Sequence, residues 1–509
     1  MSSFTPSAEV CAAGKGTVGG LFRSVVAANA NRIALVDGDR SLTYEQLEDR
    51  TNRLANVFTD RGLSRGDRVA ILAHNRQEFL EVELAAAKSG IIVAALNWRL
   101  GDRELAHCIN LVEPKLLILE AAFSATATRL DIGTLPKIFL GEEYEQALAF
   151  ASNLQLTTAP DPEDGLVILY TSGTTGLPKG ALISHRAMIA RGMCFATEQA
   201  VPPGDNFIAW APLYHMASTD QSLAILMRGG TVYTIDGYDP DHIIDLVENI
   251  PMRFLVLIPG MVGDFANRFR DRRAVAKSVG ICGAMADLVP REEIAAATTA
   301  LNAPYLNTFG ATETGLPPAT GATIPIGIAP TSLSKRQSSF CEIRLVDPDD
   351  NEVPVGTPGE VAIRGPTLFS GYWNAHETNA HEFRNGWFHM GDVMRRNVDG
   401  TLDYVDRVKY MIKSGGENIY PAEIEQVVLE DERVSEAVVV RKSDPKWGEV
   451  PVVFVVIRDK GVAESDILNR CRENLSSYKR PKQVIFMLEA DLPRSTTGKI
   501  QRHELEARL

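Results

Sequence analysis

Short apolar runs alternate along this chain with longer stretches whose apolar residues recur about every three to four positions. Thr43 and Gln46 form a capping box ahead of a helix with apolar positions Tyr44, Leu47, Leu54, Ala55 and Phe58, and Gly62 stops it. Residues 67–73 then read as a strand, 78–88 as a helix, 91–96 as a strand, 103–111 as a helix and 116–119 as a strand. Residues 166–169 form another apolar strand, followed by a helix near 186–198 and strands at 206–211 and 231–235. This alternation predicts an α/β fold of parallel sheets with crossover helices on their faces. From Cys341 the texture changes to shorter strands separated by turn clusters, which predicts an antiparallel or barrel-like unit. After Asp406 comes a compact α+β tail, with a helix from Pro421, strands near 437–441 and 450–457, a helix near 467–475 and a strand at 483–487.

The run that follows the strand at 166–169 is the first candidate for chemistry. Tyr170 to Gly180 reads YTSGTTGLPKG, placing Thr171, Ser172, Thr174 and Thr175 among Gly173, Gly176 and Gly180, with Lys179 near its end. Glycine lets a ligand approach the backbone closely, and hydroxyls, amides and an ammonium are the groups that hold a polyphosphate. Composition alone favours an ordinary surface loop. The Walker spacing is absent, since Leu177 and Pro178 separate Gly176 from Lys179 and Gly180 follows the lysine, so an ordinary P-loop enzyme is excluded.

Other motifs follow in order and give the string its meaning: WAPLYH at 210–215, GAM at 283–285, TFGATE at 308–313, GWFHMGD at 386–392, DRVKY at 406–410, KSGGENIYP at 413–421 and PRSTTGK at 493–499. Together with the glycine-rich loop they resemble the adenylate-forming superfamily, in its acyl-CoA synthetase and aryl-CoA ligase branch. The resemblance runs from about Leu21 to the end of the chain. It implies a large N-terminal domain, residues 1–406, of two αβ layered subdomains plus a β-barrel-like subdomain. A hinge at 407–409 and a small mobile α+β domain at 410–509 complete the implied architecture.

The resemblance also assigns roles. Thr171, Ser172, Gly173, Thr174, Thr175, Gly176 and Lys179 would clamp the β- and γ-phosphates of ATP. Gly283 and Ala284 would border adenine, Phe309 would pack on it, and Gly310 and Thr312 would lie along the nucleotide with Thr312 at the α-phosphate. Thr174 and Glu313 are the implied Mg²⁺ ligands, in keeping with a hard cation that needs one or two protein oxygens beside the phosphates. Asp392 would take the ribose hydroxyls and Arg407 the ribose or phosphate, with Lys409 as the pivot. Lys413, Gly415, Gly416 and Asn418 would serve the thioester step with CoA. His215 would lie beside the acyl carboxylate, and Tyr214, Met216 and Met261 would shape an apolar acyl pocket. Lys499 would close on the carboxylate and the α-phosphate, which makes it, with His215, Thr312 and Glu313, the implied catalytic set. Ser332-Leu333-Ser334-Lys335-Arg336-Gln337 replaces the family's G-S-x-G segment and reads as a solvated, charged loop.

These roles imply a two-step reaction. A thiol will not displace oxide from a carboxylate, so activation as the acyl adenylate supplies AMP as the leaving group. The place where amino-acid-activating relatives carry an aspartate holds Tyr214-His215-Met216-Ala217-Ser218, which disfavours amino acids. A free carboxylic acid, ATP and CoA are the expected substrates; delivery to a carrier protein or luciferase-like oxidation is the alternative, and a non-catalytic nucleotide-binding regulator a third.

Composition trims this picture. A chain of 509 residues is expected to form roughly two to four structural units. A formal net charge of −13 disfavours a nucleic-acid partner or an anionic membrane surface. Six scattered cysteines without a C-x-x-C pair suggest neither zinc nor a disulfide framework and fit a reducing cytoplasm. No apolar run approaches a membrane span. The terminal Ala507-Arg508-Leu509 loosely resembles a peroxisomal signal. Members of the family are often homodimers.

Overall fold

A computed structural model describes residues 7–157, 160–171, 177–415, 417–458, 461–494 and 500–509. The chain divides into two compact units: Met1–Glu342 with Arg364–Gly386, and Ile343–Ile363 with Trp387–Leu509.

In the first unit the predicted alternation becomes three larger sheets, beside the two-stranded hairpin Phe309–Ala311/Gly315–Ala319. The largest runs Lys137–Phe139, Leu116–Leu119, Arg68–Leu72, Ile92–Ala95, Gly165–Thr171, Lys179–Ser184, all parallel except the last, which returns antiparallel. A second runs Arg40–Thr43, Ile33–Asp37, Thr231–Thr234, Asn206–Ala209, and a third Pro251–Leu255, Ser278–Cys282, Tyr305–Leu306, Thr323–Ile324. The capping box at Thr43 and Gln46 is formed in both directions, and the helix Tyr44–Asp60 ends just before Gly62, whose φ is +78°. Helix Gln77–Ser89 touches strands of the first two of these sheets and is buried along its whole length. Three of its charges are paired: Glu78 with Arg40 and Arg76, Glu81 with Arg50 at 2.8 Å and with the Tyr144 hydroxyl, Lys88 with Glu48 at 2.6 Å. The fourth, Glu83, accepts from the Thr219 hydroxyl at 3.3 Å, and burial raises its pKa well above the usual carboxylate range. Buried charges without such partners would be strongly unfavourable.

The sheets explain where the motifs lie. The glycine-rich stretch, Trp210–His215, Gly283–Met285 and Thr308–Glu313 all follow the carboxyl ends of strands, the usual place for ligands in open parallel α/β sheets.

In the second unit, strands Glu342–Val346, Pro358–Arg364, Trp387–Arg396 and Leu402–Arg407 share one sheet, antiparallel across the last three, as the change of texture after Cys341 predicts. The tail forms another sheet from Glu417–Ile419, Ile412–Ser414, Gly448–Ile457 and Val434–Asp444, with Gln483–Phe486 parallel to Gly448–Ile457. Its central hairpin is longer than the apolar runs suggest, with pairing from Val434↔Ile457 to Asp444↔Gly448. Backbone pairing carries the polar ends of both strands into the ladder. Val439, Val453 and Val455 face helices Pro421–Leu429 and Glu464–Asn474, while Val438, Val440, Val452 and Phe454 pack with Leu492 and Leu505.

Gly180 faces Ile168 across the hairpin, where an added Cβ would stand 2.8 Å from Ile168 Cγ2. Gly180→Ala is expected to destabilise by about 1–3 kcal/mol through overpacking, read as a lower urea midpoint; an unchanged midpoint would contradict this packing.

Candidate active site

Lys179 is placed by strand geometry. It pairs with Thr171 at the mouth of the hairpin Gly165–Thr171/Lys179–Ser184. Residues 370–373 then add a further strand-like edge: Ser370 N donates to Leu182 O at 2.7 Å, Leu182 N to Gly371 O at 3.0 Å and Trp373 N to Gly180 O at 2.7 Å. This edge brings the Tyr372 ring to Lys179, whose Nζ lies 4.4 Å from the ring centroid. The Tyr372 hydroxyl in turn donates to Glu313 Oε1 at 2.7 Å, and Asn379 holds the Tyr372 backbone through its side-chain amide at 2.8 Å in both directions.

Glu313 sits at the tip of a hairpin. Phe309 pairs with Ala319 and Ala311 with Gly315, which leaves Thr312, Glu313 and Thr314 as the turn. The added Cβ of any residue replacing Gly310 would run into the Gly315 carbonyl, so the hairpin closes only around glycine. The turn is anchored from below by Arg191, a fully buried guanidinium that donates to Thr312 O at 2.9 Å, Thr367 O at 3.0 Å and Asp220 Oδ2 at 3.2 Å. Burial pushes the Arg191 pKa down and that of Asp220 up, against their mutual attraction.

The expected adenine border has its own brace. Gly283 follows strand Ser278–Cys282 with φ +78°, and a side chain there would collide with the Tyr305 ring. The Tyr305 hydroxyl donates to Ala284 O at 2.9 Å, and Met285 N donates to Thr308 Oγ1 at 3.1 Å, tying this turn to the segment that carries the buried Phe309. Lys335 overturns its expected setting. It is fully buried rather than solvated, because Asp287 Oδ2 lies 2.5 Å from its Nζ and Asn307 Oδ1 accepts from it at 2.8 Å.

On the expected acyl side, Asn75 fixes the motif at 210–215. Its amide nitrogen donates to Ala209, Ala211 and Ile235 carbonyls, and its oxygen accepts from Leu213 N at 2.8 Å. His215 is exposed and caps helix Met216–Leu226, with Nδ1 accepting from Ala217 N at 3.2 Å, which leaves Nε2 to carry the proton of the neutral ring. Tyr214 is buried, which pushes its hydroxyl up to about 12. Met261 and the motif meet through Tyr238, whose hydroxyl donates to Met261 O at 3.4 Å and whose ring stands edge-on to Trp210 at 5.4 Å.

In the second unit, Asp392 lies where the ladder breaks. Pairing jumps from Glu360↔Val393 to Ala362↔His389, so residues 390–392 leave that edge, while Asp392 still pairs with Arg407 on the other. Arg407 Nε donates to Asp392 Oδ1 at 2.9 Å, and the carboxylate raises the Arg407 pKa. Glu360 accepts from Gly391 N at 3.2 Å and faces His389 Nδ1 at 3.4 Å. Asp406 accepts from Ala422 N at 2.8 Å and so caps helix Pro421–Leu429. Exposed Lys409 lies over the Tyr410 ring at 4.8 Å, with the Arg502 guanidinium also at 4.8 Å. Lys413 and Asn418 pair across the strands Ile412–Ser414 and Glu417–Ile419. Gly415 N donates to Trp447 O at 2.8 Å, and the half-exposed Trp447 ring stands where a Gly415 side chain would be.

Ser172, Gly173, Thr174, Thr175, Gly176, Gly416 and Lys499 lie outside the described residues. Among the described residues no group of three or more His, Cys, Asp and Glu side chains gathers to hold a metal. The single carboxylate of Glu313 nevertheless suits a magnesium ion that takes its remaining oxygens from phosphates and water. Arg191, Asp220, Tyr372, Asn379, Tyr238 and Trp447 are missed by sequence reasoning. The glycine of Ser370-Gly371-Tyr372 beside the aromatic was the available local signal for one of them.

Residues 22–373 match the AMP-binding enzyme family and residues 423–499 the AMP-binding enzyme C-terminal domain. The chain belongs to the AMP-binding enzyme family, within the adenylate-forming superfamily. It is 33% identical over 481 residues to a feruloyl-CoA synthase of Amycolatopsis sp, covering 93% of this chain and 95% of that protein. It is 31% identical to an indoleacetate–CoA ligase of Aromatoleum aromaticum, covering 92% and 93%. The solved structure of a Mycobacterium tuberculosis fatty acyl CoA synthetase superposes with TM-score 0.78 at 28% identity, covering 97% of this chain and 98% of that one.

Removing the Tyr372 hydroxyl frees Glu313 Oε1 from its neutral donor. Tyr372→Phe is expected to raise the KM for Mg²⁺-ATP about threefold to tenfold, the worth of one hydrogen bond; steady-state kinetics showing an unchanged KM would remove Tyr372 from the site.

Proposed function

We propose that this chain activates a free aromatic carboxylic acid and transfers it to CoA. The reaction class is that of an AMP-forming acid–thiol ligase: acid, ATP and CoA give acyl-CoA, AMP and pyrophosphate through an acyl adenylate. One constellation supports the site reading: the Tyr372 ring receives Lys179 beside the carboxyl end of strand Gly165–Thr171 while its hydroxyl bonds Glu313, which puts an ammonium and a carboxylate on either side of one tyrosine, a pairing suited to a metal-bound polyphosphate. The aromatic substrate class rests on the feruloyl and indoleacetate specificities named for its relatives.

In this reading the loop 171–179 holds the β- and γ-phosphates. Phe309 and the Gly283-Ala284 turn hold adenine, with Gly310 and Thr312 beside the phosphate, and Asp392 and Arg407 bind the ribose. Glu313, with Thr174, would hold Mg²⁺, which supplies charge neutralisation for the phosphate oxygens. The acid carboxylate attacks the α-phosphorus in line and pyrophosphate leaves, while Thr312 and Lys499 stabilise the charge that grows on the phosphoryl oxygens. His215 lies beside the acyl group, within a pocket of Tyr214, Met216 and Met261. Residues 410–509 then turn at Lys409, and Lys413, Gly415, Gly416 and Asn418 serve the thiol that displaces AMP from the carbonyl. Trp447 covers Gly415 and joins that group.

Incubation with ATP, CoA and a panel of aromatic and alkyl acids is expected to give acyl-CoA and AMP from the aromatic ones. Adenylate that accumulates without thioester would contradict CoA as acceptor and favour a carrier protein. Lys499→Ala should slow adenylation by about 10²–10³-fold, the loss of one transition-state donor. Thioester formation from supplied acyl-AMP should largely survive; equal loss of both halves would reject the assignment.

A further inference from the structure

An ammonium is unfavourable to bury unless acceptors replace its water, and a well-packed apolar side chain in its place is often as stable or more so. Lys335 is nonetheless fully buried, and its partners lie on two separate segments. Asp287 belongs to the single turn Ala286–Leu288, which follows directly on Gly283-Ala284-Met285. Asn307 directly precedes Thr308 and Phe309, and its own amide donates to the Leu333 and Ser334 carbonyls at 2.9 and 3.3 Å, closing a loop around the lysine. Met285, half-exposed and held at φ +53°, is the residue whose N–H crosses between the two segments to Thr308 Oγ1. A non-glycine residue in that region is held there by its surroundings, and the Lys335 bridge is the charged part of those surroundings.

We propose that Lys335 is a positioning residue for the nucleotide. By clamping Asp287 to Asn307 it fixes the spacing between the Gly283–Met285 turn and Phe309, and so the width of the slot that takes adenine. The inference rests on the assignment of Phe309 and Gly283 to adenine. A misplaced wall should weaken the part of ATP that touches it and leave the phosphate clamp untouched.

The test compares Lys335→Met with the wild type for KM of ATP, KM of the acid, kcat, and inhibition by inorganic tripolyphosphate, which lacks adenine. The KM for ATP is expected to rise about tenfold, while kcat at saturating ATP, the acid KM and the tripolyphosphate inhibition constant stay within about twofold. Should Lys335→Met not fold, Lys335→Met with Asp287→Asn removes both charges together and is expected to show the same split. An unchanged KM for ATP, or a uniform loss of all parameters, would overturn the proposal. Phe309→Ala separates the two failures. If it raises the KM for ATP and the Lys335 variants do not, only the lysine's role falls; if it has no effect, the adenine assignment falls with it.

Discussion

A guanidinium without access to water must find its acceptors inside the protein, and Arg191 finds them in three segments at once. One is the turn that presents Glu313, one is the segment that leads to Tyr372, and one is the helix capped by His215. Removing the arginine would leave Asp220 as an uncompensated buried charge, a loss on the order of 3–5 kcal/mol in comparable cases. It would also take away the common reference by which the carboxylate, its tyrosine donor and the acyl-side helix are held in register. Burial weakens both members of the pair as ions, so their value lies in geometry as much as in attraction.

The same economy of polar groups recurs around the candidate site. Asn75 spends its whole amide on backbone groups of the 209–213 and 235 segments, which sets the path of the chain into His215. Asp406, expected only to mark a hinge motif, caps a helix with its carboxylate. The Tyr410 ring face receives the charges of Lys409 and Arg502, so an aromatic quadrupole supplies negative potential between the two cations.

Much of the fold was legible because its strands and helices carry clean local patterns: the strand Leu116–Leu119 and the helix starting at Tyr44 fall within a residue of their expected bounds. The hairpin that carries Glu313 was not. Its return strand, Gly315–Ala319, contains Pro317 and Pro318, which argue against a strand unless it lies at an edge, and this one pairs on a single side. Tyr372 lies 59 positions from Glu313, and only the tertiary pairing of residues 370–373 with Lys179–Ser184 brings them together. Lys335 departs from its expected exposure because a charged residue among serines reads as solvated, while its burial depends on Asp287 and Asn307, distant in sequence.

Adenylate chemistry can be seen apart from any thioester. With Mg²⁺-ATP, an aromatic acid and labelled pyrophosphate but no CoA, label should pass into ATP, and only when the acid is present, because the first half-reaction reverses on the enzyme. Exchange that required CoA, or that ran equally well without any acid, would contradict an acyl adenylate formed at these residues.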